Sequence, residues 1–184
     1  SKRIAFIQCY GSRDDHHGCS YCSRVCCMYA IKEAMLVKEH EPDIEDISVF
    51  YMDIRVYGKG FEEYYQRAKD EYGVNFFRGR PGRLIEDPAN QNIIIQAEST
   101  TTGEMVNHVA DLVVLSSAII PSEGSRELAD LLKIDTDAFG FYKEQMDSLP
   151  FHSSREGIYI CGCAQGPKDI PDTVAQASGA AAKA

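Results

Sequence analysis

The sequence contains no tryptophan, and no apolar run in it approaches the roughly 20 residues that a membrane-spanning helix needs. It also lacks an excess of basic residues, because 19 lysines and arginines stand against 28 acidic residues and give a net charge of −9. Binding to nucleic acid or to an anionic membrane needs a basic surface. The composition therefore argues against both as a main task.

The cysteine count argues against a secreted protein. The chain has seven cysteines, an odd number, and two of them are adjacent. A secreted disulfide scaffold would be shorter and evenly paired, and we recognise no signal peptide, so we expect a reducing, cytoplasmic location. The 184 residues, 44% of them hydrophobic, suffice for one domain with a core and a small appendage.

The first half of the chain has the pattern of an α/β protein. Apolar runs predict strands, and apolar residues at three- to four-residue spacing predict helices. In chain order we expect a strand, a helix, a strand, a helix and a short strand over residues 2–8, 20–40, 47–52, 61–72 and 75–78. This order predicts a parallel sheet with right-handed crossovers.

The pattern then changes. Alternating apolar residues and turn signals predict an antiparallel meander over 83–86, 92–99 and 104–108, followed by a strand at 111–116. We then expect a short helix at 125–133, a strand at 157–162 and a final helix from Pro171. We therefore expect a Rossmann-like domain in residues 1–120 and a C-terminal segment in 121–184. The latter would end in a strand–helix motif.

The first strand–helix turn lacks the sequence G-x-G-x-x-G. Those glycines normally allow a pyrophosphate to approach a helix N-terminus. Asp53, after the second predicted strand, stands where an acid would bind a ribose, but without the phosphate loop a capping or surface role is the better interpretation. Cysteines occupy the turn instead, within QCYGSRDDHHGCSYCSRVCC.

Four of these cysteines, Cys9, Cys22, Cys26 and Cys27, have the spacing C-x12-C-x3-C-C. Thiolates brought together by a loop and a helix start coordinate an iron–sulfur cluster or a zinc ion. The predicted helix puts Cys22 and Cys26 one turn apart on the same side, and Cys9 would close the site from the strand. The helix N-terminus would also stabilise negative charge there.

Three alternatives stay open. Zinc bound by three cysteines with His16 or His17 would satisfy the same ligand chemistry and would give a zinc-stabilised module for subunit docking. Cys19 and Cys22 form a C-x-x-C pair, a spacing typical of redox-active dithiols. Reduced core cysteines are a poor explanation, because five such thiols lie in a polar loop and helix start.

Four ungapped stretches carry a resemblance to a known family. They are FIQCYGSRD (6–14), YCSRVCCMYA (21–30), YMDIRVYGKG (51–60) and GCAQGPKDIPDTV (162–174). They resemble the iron–sulfur and flavin A subunits of CoB–CoM heterodisulfide reductase and the related subunits of a quinone-interacting membrane-bound oxidoreductase. The resemblance covers almost the whole chain and implies a thioredoxin-reductase-like, FAD-binding fold with a [4Fe–4S] cluster beside the flavin.

The resemblance also implies roles for individual residues. Cys9, Cys22, Cys26 and Cys27 match the cluster ligands of the family, and Cys19 falls outside the pattern. Lys32 matches a lysine near the flavin, where a positive charge by N5 would favour the reduced cofactor. A solvated surface lysine is the alternative interpretation of Lys32.

The C-terminal stretch resembles the last FAD-binding motif of disulfide-reductase-like flavoproteins. Cys163 stands where that motif usually has an aspartate, so contacts to the ribitol would come from backbone amides. The implied FAD-binding positions are Gly162, Cys163, Ile170, Asp172, Thr173 and Val174. Cys161 and Cys163 themselves are small residues near a turn, and neither is expected to bind the cluster.

The resemblance implies an oxidoreductase subunit of anaerobic energy metabolism that passes electrons between flavin and cluster within a larger redox complex. We expect its partners to be other subunits of a heterodisulfide-reductase-like or quinone-linked complex, with no nucleic acid and no direct membrane insertion. The chain lacks the first FAD-binding unit of the family. We therefore expect a fragment of a larger flavoprotein, inactive alone and weak in FAD binding.

Overall fold

The computed structural model describes residues 2–184. Its elements are β1 (Lys2–Tyr10), α1 (Cys26–His40), β2 (Ile44–Tyr51), α2 (Phe61–Asp70), β3 (Asn75–Arg78), β4 (Pro81–Glu86), β5 (Ile93–Glu98), β6 (Met105–Ala110), β7 (Leu112–Ser117), α3 (Ser125–Leu132), a 3-10 turn (Gly162–Ala164) and α4 (Ile170–Lys183). No helix in this range is both long and apolar enough to cross a membrane.

The chain divides into two compact units. The N-terminal unit comprises the residues up to Gly11 together with Cys26–Ser117. The C-terminal unit comprises Ser12–Val25 and Ala118–Ala184. The loop that carries Cys19 and Cys22 thus belongs to the second unit, while the other predicted ligand positions belong to the first. The division of roles between residues 1–120 and 121–184 stays a prediction.

A four-stranded parallel sheet in the order β3-β2-β1-β7 forms the centre of the N-terminal unit. The apolar run of β1 is buried over six consecutive residues, Ile4 to Cys9, as expected of a strand covered on both faces. Side chains on one face, including Phe6 and Val49, pack with Ile31 and Met35 of α1. This cluster is the larger of two apolar clusters in the unit.

The other face of the parallel sheet packs against an antiparallel meander in the order β4-β5-β6. Ile7 and Phe50 from the parallel sheet meet Ile95, Ala97 and Ala110 from the meander in the second apolar cluster. The predicted combination of an α/β parallel sheet with an antiparallel meander is confirmed, and the strands lie within two or three residues of their predicted bounds.

The prediction of a helix from residue 20 was wrong at its start, because α1 begins at Cys26. Ser20–Val25 is irregular: Arg24 has a left-handed φ of 63°, and the Ser23 hydroxyl accepts a hydrogen bond from the Ile119 backbone N–H at 2.9 Å. Cys22 is therefore outside the helix. It does not share a helical face with Cys26, contrary to the expectation from the spacing.

The predicted strand at 157–162 was also wrong. This segment forms a single bridge, between Tyr159 and His152, and Ile160 N–H donates to the Phe151 carbonyl at 2.8 Å. Left-handed glycines stand at both ends, Gly157 and Gly162. Both sheets described within residues 2–184 are built from strands of the N-terminal unit, so this segment joins neither of them. It pairs instead with the backbone at Phe151 and His152. The final helix is present and begins at Ile170.

Candidate cofactor site

The carboxyl edge of the parallel sheet gathers the cysteines of the N-terminal unit. β1 ends in Cys9 and Tyr10, and α1 begins at Cys26. In a right-handed βαβ unit the strand end and the following helix start meet at this edge, where α/β proteins place their ligands. Cys9 is 3% exposed and has a left-handed φ of 60°. Backbone strain of this kind at a non-glycine residue clusters at functional sites.

Cys26 and Cys27 form the first turn of α1 and are nearly inaccessible, at 1% and 3% exposure. A hydrogen bond from the Cys26 thiol lowers the pKa of Cys27 to about 7, against the opposing effect of burial. The backbone N–H of Arg55 also donates to the Cys27 sulfur and lowers its pKa further. The thiolate is the metal-binding and nucleophilic form of cysteine. A pKa of about 7 gives Cys27 a substantial thiolate fraction near neutral pH.

Asp53 and Arg55, directly after the carboxyl end of β2, belong to the surroundings of Cys27. Arg55 Nε lies 3.5 Å from Asp53 Oδ1. The charge of Asp53 raises the pKa of Cys27 and that of Arg55 lowers it. The sequence did not single out Arg55. Its position just past a strand end, at the edge where β1 also ends, was the signal that could have identified it.

Cys22 lies in the C-terminal unit, where its sulfur accepts a hydrogen bond from the Arg24 backbone N–H at 3.3 Å. Cys19, in the same loop, pairs with Ser12 through the backbone in an isolated β-bridge. The loop is held by Tyr21, whose hydroxyl donates to the Ile119 carbonyl at 2.7 Å and whose ring packs on Phe139 and Phe141. Burial and the neighbouring Cys19 raise the pKa of Tyr21, so it stays protonated at neutral pH.

The chemistry of the donors fits an iron–sulfur or zinc group, although the geometry does not form a finished site. All seven cysteines are thiols. Within residues 2–184, no three or more His, Cys, Asp or Glu side chains stand grouped for a metal ion. What fits is the donor set: three buried thiols at one sheet edge, one of them with a lowered pKa, and a fourth four residues before α1.

Lys32 lies on the exposed side of α1 and lines a groove of about 490 Å³ in the N-terminal unit. The groove is mostly apolar, with a second lysine on its rim. Its lining is Met28, Tyr29, Lys32, Lys59, Gly60, Phe61 and Tyr64. Burial raises the pKa of Tyr29. Aromatic walls with two ammonium groups suit a flat, electron-rich ligand.

The predicted FAD-binding positions lie around the 3-10 turn and the start of α4, in the C-terminal unit. Gly162 is buried, has a φ of +63°, and an added Cβ would stand 3.0 Å from Thr173 Cγ2. Its N–H donates to Gln176 Oε1 at 2.7 Å. Cys163 is exposed, and so are Ile170 and Val174, at 79% and 58%. The 3-10 turn thus exposes a thiol, and the start of α4 exposes two apolar side chains.

The start of α4 is held by charge and capping. Asp169 is the N-cap, and its side chain accepts from the Asp172 N–H at 2.8 Å. The Asp172 carboxylate pairs with Arg24 Nη2 at 3.0 Å. The first turn of α4 has few backbone donors left for a ligand, because Pro171 has no N–H and the N–H groups of Asp172 and Thr173 donate to the side chain and the carbonyl of Asp169.

The chain is similar in sequence to two proteins of known family. The chain is 52% identical over 180 residues to the iron–sulfur A subunit of the CoB–CoM heterodisulfide reductase of Methanocaldococcus jannaschii, covering 97% of this chain and 27% of that protein. It is 53% identical to the A subunit of the H2/formate:CoB-CoM heterodisulfide,ferredoxin reductase of Methanococcus maripaludis, over 98% of this chain and 27% of that protein. No protein-family model matches.

Solved structures show the same fold. Thioredoxin reductase from T. acidophilum is similar with a TM-score of 0.63 at 15% identity, over 98% of this chain and 51% of that one. Thioredoxin reductase from Lactococcus lactis is similar with a TM-score of 0.63 at 20% identity, over 100% of this chain and 50% of that one. The fold is therefore thioredoxin-reductase-like.

The chain spans about a quarter of the length of the curated relatives that it matches. The match runs through the cysteine-bearing loop, the parallel sheet and the C-terminal turn, at about half of all positions. Over the part that it spans, this chain belongs to the family of heterodisulfide reductase A subunits.

Proposed function

We propose that this chain is the electron-transfer part of an oxidoreductase subunit of the heterodisulfide reductase A type. Cys9, Cys22, Cys26 and Cys27 would hold a [4Fe–4S] cluster. Lys32 and the turn at Gly162 would contact FAD. When bound, the cluster supplies one-electron transfer and the flavin supplies both one- and two-electron chemistry.

The observation that carries the proposal is the environment of Cys26 and Cys27. Two adjacent, nearly inaccessible thiols begin a helix at the carboxyl edge of the sheet, and the pKa of one of them is lowered to about 7. The Arg55 amide stabilises the thiolate without adding a side chain that competes for the metal. Burial excludes water, which protects sulfur ligands from oxidation.

Lys32 would act by charge. Lys32 lines the groove together with Lys59 and mostly apolar neighbours. A positive charge near the flavin N5 raises the affinity of the protein for the reduced cofactor relative to the oxidised one. The aromatic rings Phe61 and Tyr64 would exclude water from the flat face of the ligand.

The C-terminal unit would bind the flavin through backbone groups. Gly162 leaves space where a side chain would meet Thr173, and Cys163 replaces the usual carboxylate with a group that neither repels nor strongly binds a ribitol hydroxyl. Ile170 and Val174 offer an apolar surface at the helix start. The positive end of the α4 helix dipole would stabilise negative charge on the flavin.

The names of the relatives support the setting of the proposal. They describe subunits that act on CoB–CoM heterodisulfide with hydrogen, formate or ferredoxin. We therefore propose a cytoplasmic redox complex of anaerobic energy metabolism as the site of action, with other subunits of that complex, or of a quinone-linked one, as partners. The net charge of −9 argues against nucleic acid as a partner.

Anaerobic reconstitution with iron and sulfide tests the cluster. We expect about four irons per chain, as a [4Fe–4S] cluster requires, with broad visible absorption and an EPR signal on reduction. Cys26→Ala or Cys27→Ala should abolish the signal. Cys161→Ala, which removes a thiol outside the ligand set, is the matched control and should leave it intact.

Two results would contradict the proposal. Stoichiometric zinc with a silent spectrum would indicate a zinc-stabilised docking module. Loss of the signal in Cys161→Ala, with retention in Cys27→Ala, would show a different ligand set. For the flavin, we expect the chain to purify without stoichiometric FAD; a yellow preparation with one FAD per chain would contradict the expectation of weak binding by this fragment.

A further inference from the structure

The C-terminal unit contains a charged cavity of about 490 Å³, which we name the Lys168 cavity. Three of its lining side chains are cationic and two are anionic, with amide and phenol groups between them. The lining residues are Arg24, Asp137, Tyr142, Lys143, Glu144, Gln165, Lys168 and Gln176. The formal charge of the lining is thus close to neutral, and the positions of the charges decide what the cavity attracts.

Both acids of the cavity are bound to local donors. Asp137 Oδ1 accepts from the backbone N–H groups of Phe139 and Phe141, at 2.8 and 2.9 Å. Glu144 Oε2 accepts from Gln165 Nε2 at 3.2 Å. Gln165 is itself fixed, because its Oε1 accepts from Gln176 Nε2. Within residues 2–184 neither carboxylate forms an ion pair with a lysine.

Neither lysine of the cavity forms a direct ion pair with a carboxylate within residues 2–184, and the charges of Glu144 and Asp172 act on Lys168 without contacting it. The half-buried Lys168 ammonium makes one long hydrogen bond in the described chain, 3.5 Å to the Gly166 carbonyl. The positive charge of Arg24 acts on Lys168 and, after burial, is the next cause of its lowered pKa. Two like charges in one partly buried cavity repel each other, and a bound anion would add to the partial neutralisation that Asp172 and Glu144 already give. Lys143 adds a third cation to the lining.

We propose that the Lys168 cavity binds a phosphoryl group. Lys168 and Lys143 would donate from their ammonium groups, and the Arg24 guanidinium would add its charge while Asp172 holds it in place. A phosphoryl group carries about two negative charges at neutral pH, matching two ammonium groups better than a single carboxylate does. The group would belong either to free phosphate or to the phosphate of a flavin.

Phosphate binding can be measured directly on the reduced, metal-free chain in phosphate-free buffer. Calorimetric titration with inorganic phosphate should show saturable binding to one site. Lys168→Met should weaken it about tenfold or more, since a charge-assisted hydrogen bond is lost. Lys168→Arg should restore most of the affinity. Lys183→Met, which removes an exposed lysine outside the cavity, is the matched control and should leave the affinity unchanged.

Glu144→Gln provides a test of opposite sign. The glutamine oxygen still accepts from Gln165, but the negative charge is gone, so phosphate should bind several-fold more tightly. This result does not depend on whether Lys168→Met folds. Absence of saturable phosphate binding, or equal losses in Lys168→Met and Lys183→Met, would overturn the proposal.

Two flavins separate the sources of the phosphoryl group. If the site holds a flavin phosphate, FMN should bind more tightly than phosphate, riboflavin should bind weakly, and Lys168→Met should reduce the difference between FMN and riboflavin. If the site holds free phosphate, FMN and phosphate should compete with similar affinity. Neither arm depends on the cluster, so failure here leaves the iron reconstitution unaffected.

Discussion

The two units of this chain keep their structure by different means. The N-terminal unit contains two hydrogen-bonded sheets, and its apolar side chains such as Phe6 and Ile47 are almost completely buried. In the C-terminal unit, the regular elements of the described chain are α3, α4 and a 3-10 turn. There, isolated backbone hydrogen bonds such as Ile160 N–H to the Phe151 carbonyl are supplemented by side chains: the buried Ser153 hydroxyl lies within hydrogen-bond distance of the carbonyls of Arg155 and Ile158.

The cysteines of the two units differ in how exposed their thiols are. Thiols in the sheet-based unit are inaccessible, with Cys9, Cys26 and Cys27 all at or below 3% exposure. In the loop-based unit, Cys163 is exposed and Cys22 is partly exposed. Thiol exposure thus follows the kind of structure that carries each cysteine, a buried sheet edge or a surface loop.

The largest effect is expected in the N-terminal core. Phe50 is 1% exposed and packs against Phe77 and His108, with ring centroids 5.1 and 5.5 Å away. Phe50→Ala should lower the free energy of unfolding by about 3–5 kcal/mol in urea titrations, because it leaves a cavity. Leu131→Ala, at a 75% exposed position of the C-terminal unit, should cost less than about 0.5 kcal/mol. Equal losses would contradict the contrast between the units.

A smaller effect is expected at the turn of the C-terminal unit. Gly162→Ala combines a left-handed φ of +63° with a Cβ 3.0 Å from Thr173 Cγ2, and should cost about 2 kcal/mol. Gly103→Ala, at a φ of +74° with nothing within 4 Å, isolates the backbone contribution. It should cost about 1 kcal/mol in the same urea titrations. If Gly103→Ala costs as much as Gly162→Ala, the contact with Thr173 is not a significant source of strain.

The smallest effect concerns the pH dependence of stability in the metal-free, reduced chain. The pKa of Cys27 is about 7 when folded and returns toward its ordinary value of 9.0 when unfolded. Between these values the unfolded chain binds more protons at this thiol. Stability should therefore rise from pH 7 to pH 9, by on the order of 1 kcal/mol, and this contribution is lost as the pH falls through the folded pKa.

Urea titrations at several pH values measure this slope, with two variants for comparison. Cys27→Ser lacks the thiol and should lose the slope. Cys161→Ser removes a thiol of the C-terminal unit and should keep it. A slope that survives in Cys27→Ser would mean that another group causes the pH dependence.

Much of the fold could be predicted from local pattern. The apolar run of β1, the four residues of β3 and the alternation of β4–β6 identified both sheets, because strand burial leaves a direct trace in the sequence. The helix start and the irregular backbone at 157–162 could not be predicted. Ser23 is held by an N–H that lies 96 residues away, and Tyr159 pairs with a turn. Neither partner is visible in the local pattern.

The candidate site divides in the same way. The sequence by itself determined the cysteine spacing, the missing phosphate loop, the acidic charge and the parallel sheet, since each depends on residue type and near neighbours. Only the tertiary structure decided that the Arg55 amide donates to the Cys27 sulfur and that Cys22 belongs to a separate unit. It also decided that the charge of Arg24 lowers the pKa of Lys168. Electrostatic effects act over distances of a few ångströms in space, and residues far apart in the chain reach those distances only after folding.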